Sequence, residues 1–169
     1  MHIGYLADHP HWAPTLARWH HLEWGAILPN WSLADALIEL EGHTGRCMIP
    51  TTLVAFEDDS PLGSVSLVEE DAPELSDATP WLASLYVVPS RRGEGIGRAL
   101  VQRAVAEAAC LGVRRLHLYT PQHEGYYLAL GWHLVGRVRL VRSEVSVLWM
   151  DPTLSGDAEP PGPGETSES

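Results

Sequence analysis

Residues 87–98 read Val87-Val88-Pro89-Ser90-Arg91-Arg92-Gly93-Glu94-Gly95-Ile96-Gly97-Arg98. The mostly apolar run Trp81–Val88 leads into them and is expected to be a strand buried on both faces, stopped by Pro89. The amphipathic segment that follows predicts a long helix to about Leu111, with Gly112 supplying a left-handed C-terminal residue. Between them, Gly93, Gly95 and Gly97 let a backbone approach a ligand closely. The first turn of such a helix has free N–H donors and the positive end of the helix dipole, which together suit a phosphate. Arg91, Arg92 and Arg98 add guanidinium forks matched to phosphate oxygens. Glycines alone would also serve a turn that binds nothing. The apolar strand, arginine pair, glycines and long helix together favour the phosphate cradle. A P-loop is excluded because the chain has no lysine, and the Rossmann fingerprint would need glycine where Arg98 stands.

Working outward, the remaining segments alternate between short strands and helices. His2–Leu6 reads as a strand. Pro14–Gly25 is a helix with Leu16, Trp19 and Leu22 at helical spacing, and Ser32 can cap a second helix running to Gly42. Thr51–Glu57 and Leu62–Glu69 are arms of a hairpin, followed by a polar loop, Glu70–Pro80. Arg115–Thr120 is a strand, Glu124–Leu130 a short helix ended by Gly131, and Trp132–Leu140 with Ser143–Met150 a final hairpin. The order β-α-α-β-β-β-α-β-α-β-β predicts an α/β fold, a mixed sheet with helices on its faces. One domain is expected over residues 1–150. Residues 151–169, rich in Pro, Gly, Ser and acid, are expected to be a disordered tail.

The 169 residues carry a net charge of −11, distributed unevenly. Residues 1–80 hold 2 arginines against 13 carboxylates, whereas residues 81–150 hold 9 arginines against 4. Solvated faces could account for this, but an acidic half beside a basic half also fits two ligands of opposite charge. The acidic balance argues against nucleic-acid binding, and no apolar stretch is long enough to span a membrane. Cys47 and Cys110 are far apart in sequence and suit a reducing cytoplasm. Cys110 is expected on the apolar side of its helix. His20 and Glu23 have a spacing two metal ligands could use, but no third ligand is fixed, so no metal is expected.

Three segments carry a resemblance. Arg92-Gly93-Glu94-Gly95-Ile96-Gly97-Arg98-Ala99-Leu100 resembles the R-x-x-G-x-G/A acetyl-CoA signature of the GCN5-related N-acetyltransferase (GNAT) superfamily. Pro80–Pro89 is similar to that family's central strand, and Tyr126-Tyr127-Leu128-Ala129-Leu130-Gly131-Trp132 to its F-Y-x-x-L-G-F segment. The resemblance spans residues 1–150 and implies a central, mostly antiparallel mixed sheet with a splayed central strand pair. It implies an acetyl-CoA-dependent N-acetyltransferase in which an amine attacks the thioester directly within a ternary complex. A non-catalytic acyl-CoA sensor or interaction module on the same fold is the alternative.

The resemblance also assigns residues. The cofactor pyrophosphate would lie on Arg91, Arg92, Gly93, Glu94, Gly95, Ile96, Gly97 and Arg98, and its pantetheine arm along the backbone of Leu85, Tyr86 and Val87. An N–H in that stretch would hold the oxyanion. Tyr127 would protonate the leaving thiolate, with Tyr126 packing beside it. Glu69, Glu70 and Asp71 are the first candidates for the base, Glu124 and His123 the second, and His117 is expected to be packed. Trp24 and Trp31 would line an amine pocket by cation–π contact. The implied partner is a small-molecule or peptide amine, drawn by the acidic half of the chain. A homodimer is compatible with it.

Overall fold

The computed structural model describes residues 1–140 and 143–155. Its elements are β1 (His2–Tyr5), α1 (Ala13–Trp24), α2 (Leu33–Gly42), β2 (Thr51–Glu57), β3 (Ser60–Val68), β4 (Trp81–Val87), α3 (Ile96–Cys110), β5 (Leu116–Thr120), α4 (Glu124–Ala129), β6 (His133–Leu140) and β7 (Ser143–Met150). The seven strands form one sheet in the order β1-β2-β3-β4-β5-β7-β6. Every neighbouring pair is antiparallel except β4 and β5.

Strand alternation distributes the apolar side chains to two cores. On β2, Leu53 and Ala55 join Leu100, Val101 and Ala104 of α3 on one face. Val54, between them, joins Leu16 and Ala17 of α1 and Ala36 and Leu40 of α2 on the other. The helices are therefore sorted by chain order, with α1 and α2 on one face and α3 on the other. A capping box starts α2 as expected: Asp35 N–H donates to Ser32 Oγ at 3.1 Å, and Ser32 N–H donates to the Asp35 carboxylate at 2.8 Å. Such a cap is worth about 1 kcal/mol.

Two irregularities position the site. The parallel pair β4 and β5 has a single registered position, Trp81 against His117, and His117 N–H donates to Pro80 O at 3.1 Å. Beyond it the two strands part. On its other side β4 carries a bulge. Ser64 of β3 faces Tyr86 and Ser66 faces Ala83, so Ser84 and Leu85 together stand against Val65. Ser84 has φ +56°.

Three expectations need correction. Only Trp81, Leu82 and Ala83 of β4 are buried, while Ser84–Val87 are half-buried because β5 has left that edge. Cys110 is exposed. Ala104 and Ala108 form the buried stripe of α3, and Cys110 lies about 200° round the helix from Ala108. Ordered chain also continues past Met150: Pro152–Leu154 form a 3-10 turn with Pro152 buried, and Arg114 pairs with Asp151 at 3.2 Å. The rest of the expected tail, 156–169, lies outside the described residues. Among the described residues no helix is long and apolar enough to cross a membrane.

Candidate active site

The turn before α3 forms as its glycines require. Gly93 and Gly95 have φ +80° and +84°, and Gly95 is the residue from which α3 starts. A Cβ at either position would meet nothing within 4 Å, so the constraint is conformational and the space above the turn is open. Gly95→Ala is expected to lower stability by about 1–2 kcal/mol, the cost of a left-handed alanine. An unchanged denaturant midpoint would contradict this.

The arginines are less available than their position in sequence implies. Arg91 donates to Glu57 at 3.1 and 3.2 Å and to Glu94 at 2.8 Å, which fixes the turn to the end of β2 and neutralises the guanidinium. The Arg91 guanidinium in turn holds Glu57 below the usual carboxylate range. Arg92 donates from Nε to the Val87 carbonyl at 2.8 Å and lies 5.4 Å from the Tyr86 ring centre. The Val87 carbonyl is thus already occupied, leaving less of the β4 edge for a pairing ligand. Arg98 is exposed and makes no ion pair among the described residues.

Tyr127 is buried, in the same core as Leu82 of β4, Ile96 of α3 and Leu116 of β5. Its ring stands edge-on to Tyr126 and Trp132, with centroids at 5.2 and 6.1 Å. Burial, with Tyr126 beside it, raises its phenol pKa above the ordinary value. Trp132 Nε1 is the buried side-chain donor without a partner among the described residues. Tyr126 does more than pack. It is 40% exposed, and its hydroxyl is 3.5 Å from where a Cβ on Gly97 would project, over the first turn of α3.

On the opposite face, α1 brings aromatic rings to β4. Trp19 stacks on Tyr86 at 5.5 Å, and Trp24 meets Tyr86 edge-on at 6.4 Å and His20 at 5.1 Å. His20 is buried, with Nε2 3.1 Å from Ser64 Oγ, while Glu23 is exposed, so the two do not form a metal pair. Trp31 donates to Glu39 at 2.9 Å rather than standing free. Sequence reading weighed His20 only as a metal ligand and passed over Glu39; the Ser64 partner of His20 lies on β3, 44 residues away, where no local pattern marks it.

The carboxylates after β3 separate clearly. Glu69 accepts from the Thr79 hydroxyl at 3.0 Å, and Glu70 is exposed. Asp71 is half-buried, and burial together with the Glu39 charge pushes it up to about 7. The Tyr119 phenol is raised by burial and by the charges of Asp71 and Glu74. Glu124 is committed elsewhere. It accepts from Arg137 at 2.9 and 3.1 Å and from the Ser146 hydroxyl, which keep it below its ordinary value. His117 is buried with Nδ1 3.4 Å from Pro80 O, as a packed strand residue. His123 is exposed.

A helix N-terminus suited to an anion thus follows directly on a strand edge opened by a departing neighbour. Residues 13–132 match the Acetyltransferase (GNAT) family, and the chain belongs to it. No curated protein sequence matches the chain. Among solved structures, an aminoglycoside 6'-N-acetyltransferase complexed with coenzyme A superposes with a TM-score of 0.70 at 18% identity, over 90% of this chain and 97% of that one. The aminoglycoside 6'-N-acetyltransferase of Enterococcus faecium gives 0.70 at 18% identity, with the same 90% and 97% coverage. The yncA protein of Salmonella typhimurium, solved with its cofactor acetyl-CoA, gives 0.67 at 15% identity over 94% of this chain and 97% of that one.

Proposed function

We propose that this acetyltransferase moves the acetyl group of acetyl-CoA to a primary amine, carried by a small molecule or a peptide, by direct attack in a ternary complex. The observation that carries the reading is the notch between β4 and β5, which opens after one registered pair, with the glycine turn of α3 following β4. The residues fit the cofactor. The open space above Gly93 and Gly95 admits a pyrophosphate to the first-turn amides, and Arg98 and the Tyr126 hydroxyl stand beside them. Leu85 and Tyr86 offer backbone on the uncovered edge for the amide-bearing arm. The bulge at Ser84–Leu85 removes a residue from the β3–β4 ladder, freeing backbone to face an oxyanion.

The acceptor enters from the α1 side, where Trp24 stands edge-on to Tyr86, and is drawn by the Asp71 carboxylate, which lies close enough to Glu39 to feel its charge. Asp71 takes the first proton from the ammonium, and Tyr127 holds the proton that the leaving sulfur accepts. The two cysteines are free, which suits a cytoplasmic setting.

The test is an amine panel with acetyl-CoA, read by thiol release and by mass gain of the amine. Equal amounts of thiol and acetylated amine are expected. Tight coenzyme A binding by calorimetry, with no amine acetylated, would make the chain an acyl-CoA sensor instead.

A further inference from the structure

Two 3-10 turns, Leu6–Asp8 and Pro10–Trp12, lead from β1 into α1, and His9 is the joint between them. Both backbone groups of His9 are held. Its N–H donates to the Leu6 carbonyl at 2.9 Å, and its carbonyl accepts from the Trp12 N–H at 3.0 Å. Leu6 and Trp12 are buried in the core under α1 and α2, so both turns are anchored. The His9 ring is placed as well. It stacks on Trp12 with centroids 4.0 Å apart and meets Phe56 of β2 at 5.1 Å. These contacts are apolar, and the ring nitrogens make no hydrogen bond among the described residues.

The tight turn between β2 and β3 comes up beside this joint. There Glu57 pairs with Ser60 across the turn, and Asp58 has φ +51°. Asp59 Oδ1 lies 3.4 Å from His11 Nε2. One ligand atom each of His9, His11 and Asp59 lie within 4.8 Å of one another. An ion pair would account for His11 and Asp59 but not for His9, which is held beside them by stacking. The turn is also acidic. Glu57 is taken up by Arg91 and the N-terminal amine, whereas Asp58 and Asp59 have no arginine partner among the described residues.

We propose that His9, His11 and Asp59 bind a divalent transition-metal ion of the zinc type, at a site separate from acetyl transfer. Two imidazoles and one carboxylate form a donor set that suits Zn²⁺, whereas Mg²⁺ and Ca²⁺ take oxygen ligands. Tetrahedral zinc with bonds of about 2.1 Å sets its donors roughly 3.4 Å apart. His11 and Asp59 already stand at that spacing. Their side chains are 58% and 80% exposed, so they can close the remaining distance onto the fixed ring of His9. The same exposure lets the ion arrive from solvent and leaves the fourth position to water. Asp59 lies 48 residues beyond His11, a partner that no spacing in the sequence fixes. The ion therefore ties the turns before α1 to the β2–β3 hairpin and stabilises the folded chain.

The test is a Zn²⁺ titration of the full chain by calorimetry, with thermal melts on the same samples. Cys47 and Cys110 are exposed thiols that can take up zinc themselves, so the titration is repeated on Cys47→Ser/Cys110→Ser. One ion per chain is expected in both proteins. The Tm should rise by about 5–10 °C when free zinc exceeds Kd about a hundredfold. His11→Ala and Asp59→Asn should each weaken binding about tenfold or more and at least halve that rise at the same zinc concentration. His9→Phe keeps a ring to stack on Trp12 and removes the nitrogens, and it should do the same. His133→Ala, at an exposed histidine outside the cluster, should change neither, and Mg²⁺ should give neither heat nor a shift. No heat with up to about 100 μM Zn²⁺, binding lost in Cys47→Ser/Cys110→Ser, or affinity within about threefold of wild type in any of the three ligand variants would overturn the site. The acetyl-transfer reading is decided by the amine panel and stands or falls separately.

Discussion

Replacing Tyr127 with phenylalanine is expected to lower kcat about 100-fold while coenzyme A affinity stays within about threefold of wild type. The substitution removes one oxygen and leaves the ring, so the edge-on packing against Tyr126 and Trp132 and the place of the ring in the core are kept. What it removes is a proton held ready. Burial raises the phenol above its ordinary value, so the hydroxyl stays protonated throughout the working pH range and can meet a developing thiolate. Tyr126→Phe supplies the contrast. Its hydroxyl stands over the first turn of α3, so its loss should weaken coenzyme A binding and spare kcat. If Tyr127→Phe turns over within about threefold of wild type, the sulfur leaves without help from this residue.

The two tyrosines show how far the sequence could be read. The element order, the glycine turn and the capping box at Ser32 all follow from local patterns, because each is settled by residues within a few positions of one another. The resemblance carried the order of segments and placed Tyr127 at the family's tyrosine position. What stayed hidden depends on pairings across the chain. Arg91 reads as a phosphate ligand until Glu57, from the end of β2, is seen to hold it. Ser64 reads as an ordinary strand serine until His20 of α1 is seen against it. The parting of β4 and β5 is also invisible locally, because register is set by both strands and by what lies between them. The misplacement of Cys110 has a simpler cause. A helix with several apolar residues per turn admits more than one apolar face, and only packing selects the one used.

Charge illustrates the same limit at a larger scale. The acidic first half and arginine-rich second half are plain in the composition. Their consequence depends on which charges are already paired. Arg91, Arg103, Arg114 and Arg137 are all engaged by carboxylates, so much of the basic half is internally balanced. Positive potential around the glycine turn then comes mainly from the α3 amides and Arg98, with Arg92 turned toward β4. Glu39 and Asp71 have no cationic partner among the described residues, and each is raised above its ordinary value. A cation binding between them would relieve both, which gives the acidic half of the chain a local use.

Asp71→Asn should therefore change activity and stability in opposite directions. Activity through Asp71 needs the ionised carboxylate. With the group pushed up to about 7, wild-type kcat/KM should fall as pH drops through 7, and the Asn variant should lack this limb and be about 100-fold slower at pH 8. Stability runs the other way. A carboxyl raised in the folded state binds its proton more tightly there than in the unfolded chain, so the folded protein holds more protons between the ordinary value of 3.8 and about 7. Across that window wild-type stability falls as pH rises, since unfolding releases the carboxyl to ionise freely in water. Asn carries no such proton. The Tm of the variant should thus rise relative to wild type from pH 4 to pH 8 while its turnover is lower. A carboxylate merely solvated on a turn predicts neither change, as Glu70→Gln should show in the same melts and assays. A flat Tm difference across that range, or an acid limb that survives in Asp71→Asn, would remove Asp71 as the group that takes the first proton from the ammonium.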